Sequence, residues 1–86
     1  MRIEYKKAAV KAINSMDSRT KARIKEAIEG LTQKPPIGDI KHMQGTSDGT
    51  MRLRVGKYRI IFRYDNNGDI EILLILDIGP RGDIYK

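Results

Sequence analysis

The chain has 86 residues, with 17 Lys and Arg against 11 Asp and Glu, a net charge of +6 and no cysteine. That length makes one domain, residues 1–86, with a modest core and no room for a second. The absence of cysteine excludes disulfides, thiolate catalysis and cysteine-based zinc sites, and the basic balance favours phosphate-bearing partners, chiefly nucleic acid, through salt-sensitive binding.

Residues 2–6 read as a short first strand, with Ile3 and Tyr5 on one side. Residues 7–15 read as a helix, because Ala9, Val10, Ile13 and Met16 fall at helical spacing. Asp17 or Ser18 is the expected N-cap of a second helix running to about Gln33, with Ala22, Ile24, Ala27, Ile28 and Leu31 as its apolar stripe. Pro35-Pro36 stops it. The two helices form a hairpin that covers one face of a sheet. Residues 37–49, rich in Gly, Asp, Ser and Thr, read as a loop.

Met51-Arg52-Leu53-Arg54-Val55 and most of residues 58–64 alternate apolar and basic, the mark of strands with one buried and one exposed face. Gly56-Lys57 between them fits a two-residue hairpin loop, glycine supplying the positive φ. That loop sets Val55 opposite Tyr58, Leu53 opposite Ile60 and Met51 opposite Phe62 on the apolar face. The other face then carries Arg54 opposite Arg59, Arg52 opposite Ile61 and Thr50 opposite Arg63. Residues 41–63 hold six Lys and Arg and one acidic residue, Asp48. So many guanidinium groups without acidic partners imply an anion on that face. A turn at residues 65–69, with Asn67-Gly68 as its hairpin signal, leads to a last strand over residues 70–78. Residues 72–76 are apolar on both faces, which places that strand inside the sheet. The architecture is α+β: a short N-terminal strand and a two-helix hairpin packed on a small, mainly antiparallel, four-stranded sheet.

Other residues carry less. Lys6, Lys7, Lys11, Arg19, Lys21, Arg23 and Lys25 read as a solvated helical surface. Asp65, Asp69 and Glu71 are candidate ion-pair partners of Arg63, and Asp77 and Asp83 of Arg81. His42, the single histidine, reads as structural or solvent-exposed, and with no cysteine beside it no transition-metal site is expected. Residues 65–71 do not make a calcium loop, because the glycine falls at the fourth position and the distal glutamate is missing. No apolar run suited to a signal peptide follows Met1, and residues 72–76 are too few to span a membrane. A soluble, cytoplasmic protein is expected.

The order of strand, helix hairpin, basic loop, Arg52-Leu53-Arg54-Val55-Gly56-Lys57-Tyr58-Arg59 hairpin and apolar strand, closed by Gly79-Pro80-Arg81-Gly82-Asp83-Ile84-Tyr85, resembles the RelE/ParE superfamily of bacterial toxins over essentially the whole chain. RelE-type members are ribosome-dependent messenger-RNA endoribonucleases, ParE-type members act on DNA gyrase, and both are held by a cognate antitoxin. Arg81 and Tyr85 set this chain nearer the RelE side. The resemblance implies metal-independent, cofactor-free cleavage in the ribosomal A site, the ribose 2′-hydroxyl attacking the adjacent phosphate. It implies Arg59 and Arg81 as phosphorane stabilisers, Arg81 also as proton donor, and Tyr85 as base or stacking partner, with Arg52 and Arg54 in the same catalytic set. Arg52, Arg54, Lys57, Arg63 and Lys41 are the expected RNA contacts. Some relatives carry lysine where this chain has Arg52 and Arg54; arginine keeps its proton, so neither can act as a base. The implied partners are ribosome, messenger RNA and a RelB-like antitoxin that brings an amphipathic helix and acidic groups. A gyrase-binding toxin and a non-catalytic RNA-binding module are the alternatives.

Overall fold

The computed structural model describes residues 1–43 and 48–80. Arg81 and Tyr85, two of the expected site residues, lie outside the described residues.

Seven elements follow in order: β1 (Arg2–Tyr5), α1 (Lys7–Asn14), α2 (Ser18–Gly30), β2 (Asp39–His42), β3 (Met51–Val55), β4 (Tyr58–Asn67) and β5 (Ile70–Pro80). The cap of α2 is as expected: Asp17 is extended, and its Oδ1 accepts from the Thr20 amide at 2.9 Å. Ala9 and Ile13 of α1 and Ile24 and Ile28 of α2, each pair one helical turn apart, are the buried helical residues. Two expected stripe members turn outward. Val10 is 42% exposed at the stripe's edge, and Ala22, two residues and so about 200° from Ile24, faces solvent.

The second helix ends at Gly30, earlier than expected and before the prolines act. Its last turn closes through three-residue hydrogen bonds from the Leu31 and Thr32 amides to the Ile28 and Glu29 carbonyls. The Ile37 amide then donates back to the Gly30 carbonyl at 3.0 Å, and the Tyr64 hydroxyl donates to the Leu31 carbonyl at 2.8 Å, tying the helix end to β4.

The sheet has five strands in the order β1-β5-β4-β3-β2, not four. The additional strand, β2, lies within the stretch expected to be a loop; it pairs antiparallel with β3, Asp39 opposite Arg54 and Lys41 opposite Arg52. β1 runs parallel to β5, which the helix hairpin makes possible, and every other pairing is antiparallel. β5 is interior, between β1 and β4, and it is apolar on both faces as its sequence requires: Leu73 and Ile75 enter the core while Ile72 and Leu74 are buried on the other face. The register shifts between Ile61 and Phe62, which pair with Asp77 and Ile75, so Leu76 is the extra residue of a bulge. The last hairpin turns on Gly68-Asp69, because Asn67 pairs with Ile70; Gly68 takes the positive φ, 65°. Ile24, Ile28 and Leu31 from the helix side meet Leu53, Ile60, Phe62, Leu73 and Ile75, all fully buried, between helices and sheet. No helix among the described residues is long and apolar enough to cross a membrane.

Candidate functional site

The β3–β4 hairpin has the register that its alternation dictates. Val55 faces Tyr58, Leu53 faces Ile60, Met51 faces Phe62, Arg54 faces Arg59 and Arg52 faces Ile61. Gly56 turns with φ of 57°, a conformation costly for any residue with a Cβ. Because Leu53, Ile60 and Phe62 are fixed in the core, the pleat sends Arg52, Arg54, Arg59 and Arg63 to the face away from the helices.

On that face β2 changes the electrostatics. Asp39, opposite Arg54, stands between two arginines: its Oδ1 is 3.5 Å from Arg52 Nη1 and its Oδ2 is 3.9 Å from Arg54 Nε. Arg52 Nη1 also donates to the Asp39 carbonyl at 2.9 Å. Arg52 is only 4% exposed. It is a buried, paired cation bracing β2 against β3, whereas Arg54 keeps 36% of its side chain exposed. The expectation that the hairpin arginines lack acidic partners is thereby corrected, and the physical reason is that a strand, not a loop, carries Asp39 into register beside them. Like charges directly opposite, as Arg54 and Arg59 are, cost a sheet several tenths to about 1 kcal/mol; Asp39 next to Arg54 offsets part of that.

Arg63 is also paired, though not with Asp65, Asp69 or Glu71. Its Nη1 reaches Asp48 Oδ2 at 3.4 Å, and Glu71 instead meets Lys34 Nζ at 3.4 Å. The Thr50 hydroxyl and amide both donate to Asp48 Oδ1. The hydroxyl, then the amide, hold the Asp48 carboxyl below the usual carboxylate range, and Arg63 adds a smaller push the same way. Lys41 and His42 are exposed on the edge strand β2.

Arg59 is half-buried in the second strand of the hairpin, with Arg54 on one side and Gly79 of β5 on the other. Gly79 presents no side chain there, and Arg81 follows it by two residues in sequence. The face thus joins two half-buried guanidinium groups across the strands, at the end of the sheet from which the chain continues to Arg81. A pair of fixed, planar, permanently charged donors of this kind suits the non-bridging oxygens of a phosphate. Lys57, expected among the RNA contacts, stands elsewhere: it is on the turn, its Nζ 5.9 Å from the Tyr58 ring centroid, and it lines a cleft on the helix side of the hairpin. Sequence reasoning missed Asp39; the polar–apolar–polar run of residues 39–41 was the available signal.

Comparison with known proteins adds a family. The family model described as the ParE toxin of type II toxin-antitoxin systems matches residues 3–85. Among solved structures, the archaeal RelE–RelB complex from Pyrococcus horikoshii is similar, with 31% identity over 95% of this chain and 96% of that one and a TM-score of 0.72. The RelB–RelE antitoxin–toxin complex from Methanococcus jannaschii shares 30% identity over 94% of this chain and 93% of that one, with a TM-score of 0.66. The YoeB/ParE toxin from Agrobacterium tumefaciens superposes with a TM-score of 0.78 over 94% of this chain and 99% of that one, at 16% identity, a likeness of fold. No curated protein matches the chain.

Proposed function

Starting from the fact that the chain belongs to the RelE/ParE superfamily of type II toxin–antitoxin toxins, we propose that it is a ribosome-dependent, metal-independent endoribonuclease that cuts messenger RNA in the A site. The observation that carries this reading is the Arg54–Arg59 pair beside Gly79, on a sheet face turned away from the helices, immediately before the segment that holds Arg81.

In the proposed reaction the ribose 2′-oxygen attacks the adjacent phosphorus, the bond to the 5′-oxygen breaks, and the products are a 2′,3′-cyclic phosphate and a 5′-hydroxyl. The 2′-hydroxyl proton must leave and the 5′-oxygen must gain one. Arg54 and Arg59 stabilise the extra negative charge of the phosphorane, because fixed guanidinium groups need no reorganisation as that charge develops. Arg81, the proton donor that the family resemblance implies, is proposed to share this role and to hydrogen-bond the departing 5′-oxygen, which takes its proton from water. Tyr85 is the proposed base, since none of the arginines gives up its proton at neutral pH. Arg52, buried against Asp39, is assigned to positioning and not to substrate contact. Arg63 on the central strand β4 and Lys41 on the edge strand β2 are proposed to meet ribosomal or messenger phosphates.

The partner proposed outside the ribosome is a RelB-like antitoxin, by analogy with the archaeal complexes. An amphipathic helix with acidic groups would mask the arginines and fill an apolar groove.

Programmed ribosomes with a defined messenger, mapped by primer extension, test the reading. Wild type should cut, Arg81→Ala should lose the cuts, and Tyr85→Phe should slow them while binding persists. Absence of cleavage by folded wild-type protein would sink it. The family description as ParE toxin favours one second reading, inhibition of DNA gyrase; a supercoiling assay with the same preparation decides between them.

A further inference from the structure

The hairpin tip has two faces, and the second one carries the less neutralised charge. Between the first turns of α2 and the β3–β4 turn lies a cleft of about 340 Å³ lined by Arg19, Arg23, Lys57, Thr20, Val55 and Tyr58, among others, with no carboxylate in its wall. Among the described residues none of these three cations forms an ion pair, whereas Arg52, Arg54 and Arg63 are all paired. Asp17, the cap of α2, is occupied by Thr20, whose hydrogen bonds are the main cause that holds its carboxyl low, with a smaller contribution from Lys57. The Thr20 amide at that end is therefore already engaged, and the cleft offers an anion three cationic side chains.

Two of these cations lie against the hairpin turn itself. A Cβ built on Gly56 would stand 3.2 Å from Arg23 Nη2 and 3.3 Å from Nη1, so the guanidinium lies close against the turn. Lys57 sits over the Tyr58 ring at 5.9 Å. Val55 and Tyr58 form the last pair of the hairpin, adjacent to the Arg54–Arg59 pair. One turn of two residues thus has guanidinium groups on its outer face and three further cations with an aromatic ring on its inner face.

We propose that this cleft is a second binding subsite for single-stranded RNA, taking phosphates and one base of the segment that continues past the Arg54–Arg59 face over the hairpin tip. Cationic grooves with an aromatic wall are the usual way to hold a single strand, and the volume falls within the range of about 300–1,000 Å³ typical of small-ligand sites. The continuity with the outer face rests on the endoribonuclease reading; the binding itself does not.

The test is fluorescence anisotropy of a labelled 12-nucleotide single-stranded RNA with the full chain, titrated at several salt concentrations without ribosomes. The cleft triple variant Arg19→Gln/Arg23→Gln/Lys57→Gln is compared with the charge-matched Lys7→Gln/Lys11→Gln/Lys25→Gln, each checked for folding by circular dichroism. The cleft variant should bind at least about 10-fold more weakly, and its salt slope should fall by about 2, three phosphate contacts at about 0.7 each. The control should change by less than about 3-fold at the same salt. Tyr58→Leu should weaken binding by about 5-fold or more through lost stacking. Equal losses in the two triples, or no loss in the cleft variant, would overturn the subsite. So would an oligoglutamate peptide whose binding depends on the three cations while RNA binding does not, an outcome that assigns the cleft to an acidic protein segment. Because nothing is cut in this assay, wild type that binds RNA through the cleft but never cleaves would count against the endoribonuclease reading alone.

Discussion

Replacing Asp39 by Asn asks whether the cationic face is held together by one carboxylate. Arg52 is buried, 3.5 Å from Asp39 Oδ1, and Arg54 stands 3.9 Å from Oδ2. At 3.5 Å a charge pair is worth about 1.2 kcal/mol at the dielectric of water and about 4.7 kcal/mol at an effective value of about 20. The Asp39 side chain is 54% exposed, so the lower part of that range applies, and the Asp39 carbonyl continues to accept from Arg52 in the variant. The expected loss is about 1.5 kcal/mol, well below the roughly 3–5 kcal/mol of a fully buried pair broken on one side. With about 2.1 cal/mol/K of unfolding entropy per residue over 86 residues, that loss lowers Tm by about 8 °C. Thermal unfolding followed by circular dichroism measures it, and a double-mutant cycle with Arg52→Met isolates the pair, with a coupling of about 1 kcal/mol expected. A variant within about 2 °C of wild type, with no coupling to Arg52, would refute the bracing role and leave the carbonyl as the sole partner.

Three further outcomes are expected. The Asp48 carboxyl is depressed below its ordinary value of 3.8 in the folded protein, so the stability it contributes is present above that pH and is lost as pH falls through the lower, folded value; wild type and Asp48→Asn should converge in urea unfolding between pH 5 and pH 2, and a gap that widens on acidification contradicts the assignment. Tyr64→Phe removes the hydroxyl bonded to the Leu31 carbonyl, costing about 1 kcal/mol and about 5 °C in Tm; an unchanged Tm would show that bond to be replaceable by water. Gly38→Ala combines a φ of 139° with a Cβ only 2.5 Å from Leu53 Cδ1, and should destabilise by more than about 1 kcal/mol; a neutral result in denaturant titration would mean that Leu53 repacks freely.

Much of this protein is written in local periodicity. Arginine alternating with Leu53 and Val55, and a glycine two residues before Arg's counterpart strand begins at Tyr58, are enough to determine the hairpin register. The Asp17 cap and the i, i+4 spacing of Ile24 and Ile28 likewise follow from neighbours in the chain, because backbone geometry repeats over a few residues whatever lies beyond. The net charge of +6 favours anionic partners without saying which surface meets them. Where local signals are weak the structure departs from expectation: β2, only Asp39–His42, is too short for its alternation to outweigh the surrounding Gly, Ser and Thr.

What the tertiary structure decided is which charges meet. Asp39 lies 13 residues before Arg52 and Asp48 lies 15 before Arg63, and both pairings depend on strand order and on a loop closing, not on spacing. Arg19 and Arg23, indistinguishable in sequence from the other helical cations, face Lys57 because α2 crosses the sheet beside the β3–β4 turn. Side-chain periodicity tells a residue which face to take; only the packing of distant elements determines what stands opposite, since Coulomb energies depend on distances in space that the order of residues does not contain.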